Sequence, residues 1–212
     1  MSRRRAVAAL VALVLSGSGL TGCGLMKRPQ IRTFTLTPMP PASAVETTAA
    51  PGVVPLGLAV AELPPGLDRQ DVVVRESGHR LDVRGNDLWS APLGRLVLHT
   101  LAVDLAERLP RGGVVLPGQT VPAGGVRSLD LAFAELAAGP EPQVVLDVRW
   151  SLAAGGPGAP GLTGEERVAE PIDSLDSASV AAGLSRALAA LADRLAARLG
   201  APPPPPGRRP VD

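Results

Sequence analysis

Cys23 is the only cysteine among 212 residues, and it closes the tetrapeptide Leu20-Thr21-Gly22-Cys23. A lone thiol at that point can be alkylated by a diacylglycerol. A peptidase reading leucine three residues before the cut and a small residue before it would then cleave between Gly22 and Cys23. The preceding segment fits this chemistry: Arg3, Arg4 and Arg5 form a basic start, Ala6 to Leu15 an apolar stretch too short to span a bilayer, and Ser16 to Gly22 a run rich in small residues. Residues 1–22 are read as a lipoprotein signal peptide and residues 23–30 as an acylated tether. The lipid, an N-acyl and S-diacylglycerol group on Cys23, is the only non-protein group expected. More than one acyl chain makes membrane attachment stable, at about 0.8 kcal/mol per buried methylene. Gly24 in place of aspartate leans toward the outer membrane, with the domain on the periplasmic face.

Other chemistry finds little support. His79 and His99 have no second histidine or cysteine at metal-ligand spacing, so no metal site is expected. No serine sits in a nucleophile elbow beside a histidine, and no glycine loop with a lysine could cradle phosphate, so no enzyme is expected. The mature chain, from Cys23, carries 18 basic and 20 acidic residues, a net charge of −2. With two Phe, two Trp and no Tyr it lacks a platform on which bases could stack, so nucleic acid is not an expected partner. With Cys23 lipidated no disulfide can form, and packing alone must hold the fold.

The elements that would carry any surface chemistry follow from hydrophobic periodicity. Seven residues separate Cys23 from the strand-like run Ile31 to Thr37, a reach of about 25 Å. Met39 to Gly52 reads as a mobile loop. Val53 to Leu63 is an apolar run suited to a strand buried on both faces. Asp71 to Arg75 and the stretch in which Leu81 and Val83 alternate against Arg80, Asp82 and Arg84 read as a hairpin, stopped by Gly85-Asn86. Leu93, Val97, Leu101 and Leu105 mark an amphipathic helix that follows Pro92 and ends at Pro110. Gly112 to Leu116 is a short strand candidate. Leu129, Leu131 and Phe133 alternate in one run, Val144 to Leu152 in the next, as antiparallel neighbours joined near Gly139-Pro140. Glu165 to Glu170 is a further strand candidate. A second helix begins about Ser177, with Val180, Leu184, Leu188, Leu191, Leu195 and Leu199 on one face and Gly200 at its end. The expected fold is α+β (mixed α/β): one domain over 31–200 with a mostly antiparallel or mixed sheet and two amphipathic helices on one face. Residues 201–212 form a proline-rich tail. Trp150, within the alternating run, is read as core.

Residues 63–75 (Leu-Pro-Pro-Gly-Leu-Asp-Arg-Gln-Asp-Val-Val-Val-Arg) and the box Leu88-Trp89-Ser90-Ala91-Pro92-Leu93 resemble the ABC-type transport auxiliary lipoproteins. In that family a Leu-Asp-Arg-Pro-like turn leads into a strand and a Trp-Ala-Glu-Pro-Leu-like box opens a helix. Here Gln70 replaces the proline and Ala91 the acid, removing a helix-terminal carboxylate worth typically about 0.3 to 1 kcal/mol. The resemblance implies an accessory to an ABC lipid transport system with an MCE-domain partner, moving phospholipid between inner and outer membranes. Leu67, Asp68, Arg69, Trp89 and Pro92 are then the candidate partner contacts, each also open to a structural role. A homo-oligomer is compatible with the apolar helix faces, as is a monomer. A stand-alone lipid carrier and a pilot lipoprotein of another envelope machine are the alternatives.

Overall fold

The computed structural model describes residues 30–41, 48–50, 52–154 and 161–200. Residues 1–29 and 201–212, where the expected signal peptide, Cys23, most of the expected tether and the proline-rich tail fall, lie outside the described residues. The domain has eight strands and two helices: β1 (Arg32–Phe34), β2 (Leu56–Glu62), β3 (Asp71–Arg75), β4 (Leu81–Trp89), α1 (Leu93–Arg108), β5 (Val114–Val115), β6 (Arg127–Ala138), β7 (Gln143–Leu152), β8 (Leu162–Pro171) and α2 (Ser177–Gly200). It is the expected single α+β domain with mixed sheets.

The larger sheet runs β5-β2-β6-β7-β8. β2 is parallel to both neighbours, whereas β6, β7 and β8 form an antiparallel meander. Leu129, Leu131 and Phe133 face Leu152, Trp150 and Val148 across the β6–β7 pair. A register shift between Phe133 and Glu135 then moves the buried set to Leu136 and Ala138, opposite Leu146 and Val144. Both helices pack on this inner face. In α2 the buried leucines alternate with Ala181, Ala187, Ala189 and Ala192, small residues that permit close packing. At Gly183 a Cβ would collide with the side chain of Ile172, so the approach of α2 to the end of β8 requires glycine.

α1 starts after Pro92, whose extended backbone (φ −49°, ψ 134°) turns the chain into the helix, and it stops at Leu109 because Pro110 cannot continue it. α2 is capped by Asp176, whose carboxylate accepts the N–H groups of Ala178 and Ser179 at 2.9 and 3.0 Å.

Three sequence expectations change, and the face on which Leu81 and Val83 lie is settled. β4 passes through Gly85-Asn86 instead of stopping there: Val72 of β3 pairs with Arg84 but Asp71 pairs with Leu88, so β4 loops out between these pairs while β1 takes up parallel pairing at Asp87 to Trp89. Trp89 therefore ends a strand rather than opening a helix. Leu81 and Val83 are outward, 49% and 41% exposed, because the hairpin buries Val72 and Val74 instead. Finally, β2 is not buried on both faces: Leu56 is buried but Ala59 is exposed, since the helices cover only one side and β5 is two residues long.

Candidate functional site

The loop entering β3 brings the candidate contacts of the sequence together and divides them. Gly66, at φ 85°, makes the turn that glycine tolerates best, and Leu67 drops its side chain into the core. Trp89 is 3% exposed and its N–H donates to the carbonyl of Gln70 at 2.6 Å. Leu67 and Trp89 thus present no surface to a partner, and of the two roles left open for them, partner contact and structure, their burial favours the structural one. Asp68 and Arg69 stay exposed beside the half-buried Pro92. Arg69 pairs with Asp71 at 2.8 Å, and the Asp68 carboxylate accepts the N–H of Gly94 at 3.1 Å. α1 has no acid in its own first turn. The carboxylate missing at Ala91 is supplied in space by Asp68, from 26 residues away.

Beyond this surface, two polar clusters tie the N-terminal end of the domain, β1 and the residues after it, to the body. In the first, Asp87 is buried and accepts both Nε and a terminal nitrogen of Arg32, at 2.7 and 2.6 Å, a two-pronged pair between β1 and β4. The hydroxyl of Ser177, the first residue of α2, donates to the same carboxylate at 2.5 Å, and Arg84 donates to that hydroxyl at 3.0 Å. The Arg32 hydrogen bonds, aided by Ser177 and the charges of Arg32 and Arg84, hold the Asp87 carboxyl below its ordinary range against the opposing effect of burial. One carboxylate so joins β1, β4 and α2.

The second cluster receives the strap that follows β1. Leu36 is buried, the Thr37 N–H donates to Ser185 of α2 at 3.1 Å, and the Met39 N–H donates to Asp104 of α1 at 2.7 Å. Arg108, one turn along α1, donates to the carbonyl of Met39 at 3.0 Å and pairs with Asp193 of α2 at 2.6 Å. The nearest Arg108 nitrogen stands 3.7 Å from the Asp104 carboxylate, and the other Asp104 oxygen has no hydrogen-bond partner among the described residues. Burial therefore dominates and pushes the Asp104 carboxyl up to about 6, despite the Met39 N–H and the Arg108 charge. Met39, expected to begin a mobile loop, is held through both its backbone groups; residues 42–47 of that loop lie outside the described residues.

Sequence reasoning passed over both clusters. Thr100, Asp104 and Arg108 recur every four residues along α1, a polar stripe beside the leucine stripe, and that spacing was a signal that Asp104 and Arg108 face inward. Asp87 offered none: its partners lie 55 and 90 residues away in sequence. Among the described residues no three His, Cys, Asp or Glu side chains converge to hold a metal ion.

This arrangement of strap, helix pair and mixed sheets spans the region covered by one family model. The model, described as the ABC-type transport auxiliary lipoprotein component, matches residues 34–196, from the end of β1 to the last turns of α2. The chain belongs to that family. As an auxiliary lipoprotein it is an accessory of ABC transport held at the cell envelope. No curated protein matches it. Two solved structures share its fold at 16% identity. The crystal structure of an uncharacterized protein aligns with a TM-score of 0.64, over 80% of this chain and 99% of that one. A Xanthomonas campestris protein of the DUF330 family aligns with a TM-score of 0.59, over 80% of this chain and 94% of its own.

Proposed function

We propose that this auxiliary lipoprotein serves an MCE-type ABC lipid transport system, seated at the outer membrane by acyl chains on Cys23 and presenting its domain in the periplasm to the MCE-domain protein and transporter that move phospholipid between the two membranes. The observation that carries this reading is the family match over residues 34–196 in a chain whose Leu20-Thr21-Gly22-Cys23 motif provides the anchor. The role is mechanical, with no catalysis assigned to this chain. A pull on the tether reaches Ile31 first and passes into β1 and the strap, which are fastened to β4, α1 and α2 through Asp87, Asp104 and Arg108. That design suits a protein that must hold position on a membrane while a partner pulls on it. Because a tether reaching about 25 Å cannot cross the periplasm, the partner has to extend from the inner membrane.

The test is purification of the tagged, acylated protein from gently solubilised envelopes, followed by mass spectrometry of what accompanies it. An MCE-domain protein and transporter subunits are expected, and Cys23→Ala should yield a folded protein that no longer fractionates with membranes. Recovery of unrelated machinery, or full envelope resistance from an unanchored variant, would sink the reading.

A further inference from the structure

At the end of the domain where both helices terminate, the sheet and the helix ends leave an open cleft of about 350 Å³. Its wall is mostly hydrocarbon, contributed by Val53, Val54, Leu56, Leu109, Leu152 and Leu199. Val53 is 57% exposed, so apolar surface that packing could have covered is left facing solvent. The charge in the lining comes from Arg127. Its Nε donates to the carbonyl of Ala153 at 3.2 Å, and it makes no ion pair with any described residue. Arg111, three residues past the end of α1, is exposed and also without an ion pair among the described residues; its carbonyl accepts the N–H of Ala49, part of the cleft wall, at 3.0 Å. Most other described arginines are paired, as Arg75 is with Glu135 and Arg186 with Glu170. One unpaired cation, Arg127, therefore lies in the lining of this apolar cleft, and a second, Arg111, follows in sequence the Leu109-Pro110 part of its wall.

We infer that this cleft takes one acyl chain of an anionic phospholipid, with Arg127 and Arg111 meeting the headgroup phosphate. The size agrees with clefts that hold small ligands, and at about 30 Å³ per methylene-sized group, the volume a water takes in the liquid, it accommodates roughly a dozen groups, one chain and not two. A guanidinium meets the phosphate of any phospholipid through two parallel hydrogen bonds, and the cations favour an anionic head because it brings no ammonium of its own to oppose them. This goes beyond the accessory role: the domain itself holds lipid, beside whatever it does for the transporter.

The test uses the full acylated protein reconstituted in phosphatidylcholine vesicles that contain phosphatidylglycerol with a photoreactive diazirine on its acyl chain. After irradiation, labelled peptides are mapped by mass spectrometry. Label is expected on the segments holding Val53 to Leu56, Leu109 and Leu199. Arg127→Gln, a change at the rim, should lower labelling by the phosphatidylglycerol probe about tenfold, equivalent to about 1.4 kcal/mol, and lower labelling by a phosphatidylcholine probe, already weaker in the parent, by much less. Val54→Trp, which fills the cleft, should abolish labelling there, with circular dichroism and urea unfolding confirming that the variant folds. Label spread over exposed apolar residues such as Leu81 and Val83 would overturn the inference. So would equal labelling by the two probes, or cleft labelling that appears only after removal of residues 201–212, which would make the chain's own C-terminal segment the occupant. Partner recovery from envelopes is a separate readout, so this inference and the accessory role fail independently.

Discussion

Asp87 and Asp104 both fasten the N-terminal part of the domain to its body, and both are buried, yet their surroundings act on them in opposite directions. Asp87 accepts two bonds from Arg32 and one from Ser177, which outweigh the cost of burial. Asp104 accepts the Met39 N–H, has Arg108 at 3.7 Å, and keeps one oxygen without a partner, so burial prevails. Depth and satisfaction both separate them: Asp87 lies near the surface with its lone pairs filled by the exposed Arg32, whereas Asp104 lies deeper with one oxygen unfilled, and an unfilled buried carboxylate costs free energy. β1 is thus attached by a joint that is strongest when ionised, and the strap after it by a joint that is strongest when protonated.

The largest effect should come from removing the cation that makes the second joint tolerable. Arg108→Met keeps most of the side-chain volume but leaves Asp104 buried without a countercharge and the Met39 carbonyl without its donor. At pH 8 the loss should be about 3 to 5 kcal/mol, the usual cost of breaking a buried pair. It should shrink at pH 5, where Asp104 takes up a proton. Urea unfolding of the full mature chain with Cys23→Ala, at both pH values, measures this. An equal loss at pH 5 and pH 8 would mean that Arg108 works through its hydrogen bond to the Met39 carbonyl and its pair with Asp193 and not through the Asp104 charge.

The pH profiles of two isosteric variants sharpen the contrast. For Asp104 the folded value, about 6, lies above the ordinary value of 3.8, so the unfolded chain gives up its proton first as pH rises. Stability from this group is complete below about pH 4 and falls by about 3 kcal/mol as pH rises to about 6. Asp104→Asn should remove that decline and be more stable than the parent at pH 8. For Asp87 the folded value lies below 3.8, so its contribution is present above the ordinary carboxylate range and lost as pH falls below it. Asp87→Asn should therefore cost stability at neutral pH and progressively less in acid. Each variant is read as its difference from the parent, which cancels the other carboxylates; two differences of the same sign would abolish the contrast.

Much of this fold was legible in the sequence because its signals are local. The leucine spacing in α1 and α2, the alternation from Leu129 to Leu152 and the breaks at Pro110 and Gly139-Pro140 each depend on neighbours a few residues apart. The misreadings arose where a distant segment decided the outcome. β4 continues past Gly85-Asn86 because β1, more than 50 residues earlier, pairs with its far end. Leu81 and Val83 alternate with charged residues as a half-buried strand does, but they pair with Arg75 and Val73 on the outer face, while Val72 and Val74 fill the core side. Of the site, the turn at Leu67 to Arg69 and the box at Trp89 to Pro92 were visible as motifs, though which side chains would point inward was not. The clusters around Asp87 and Asp104 join segments far apart in the chain, and only the four-residue recurrence of Thr100, Asp104 and Arg108 hinted at one of them.

Asp68 extends the comparison to a carboxylate that is exposed and acts across a loop. It accepts the Gly94 N–H at the start of α1, where no acid occupies the first turn, so it serves both as a hydrogen-bond acceptor and as a negative charge at the positive end of the helix. Asp68→Ala removes both and should cost about 1 kcal/mol, while Asp68→Asn keeps the acceptor and should cost about half as much. Because the group is exposed, raising the salt concentration should narrow the gap between parent and Asn but not that between Asn and Ala. These losses, read by urea unfolding, are the smallest in the series and separate two roles for the same residue. If Asp68→Ala leaves stability within about 0.5 kcal/mol of the parent, the variation usual at open surface positions, yet reduces recovery of the transport partner, then the carboxylate reads the partner and not the helix. If stability falls and recovery of the folded variant's partner is unchanged, Asp68 is the helix's missing acid, and Arg69 remains the exposed residue of that turn free to meet another protein.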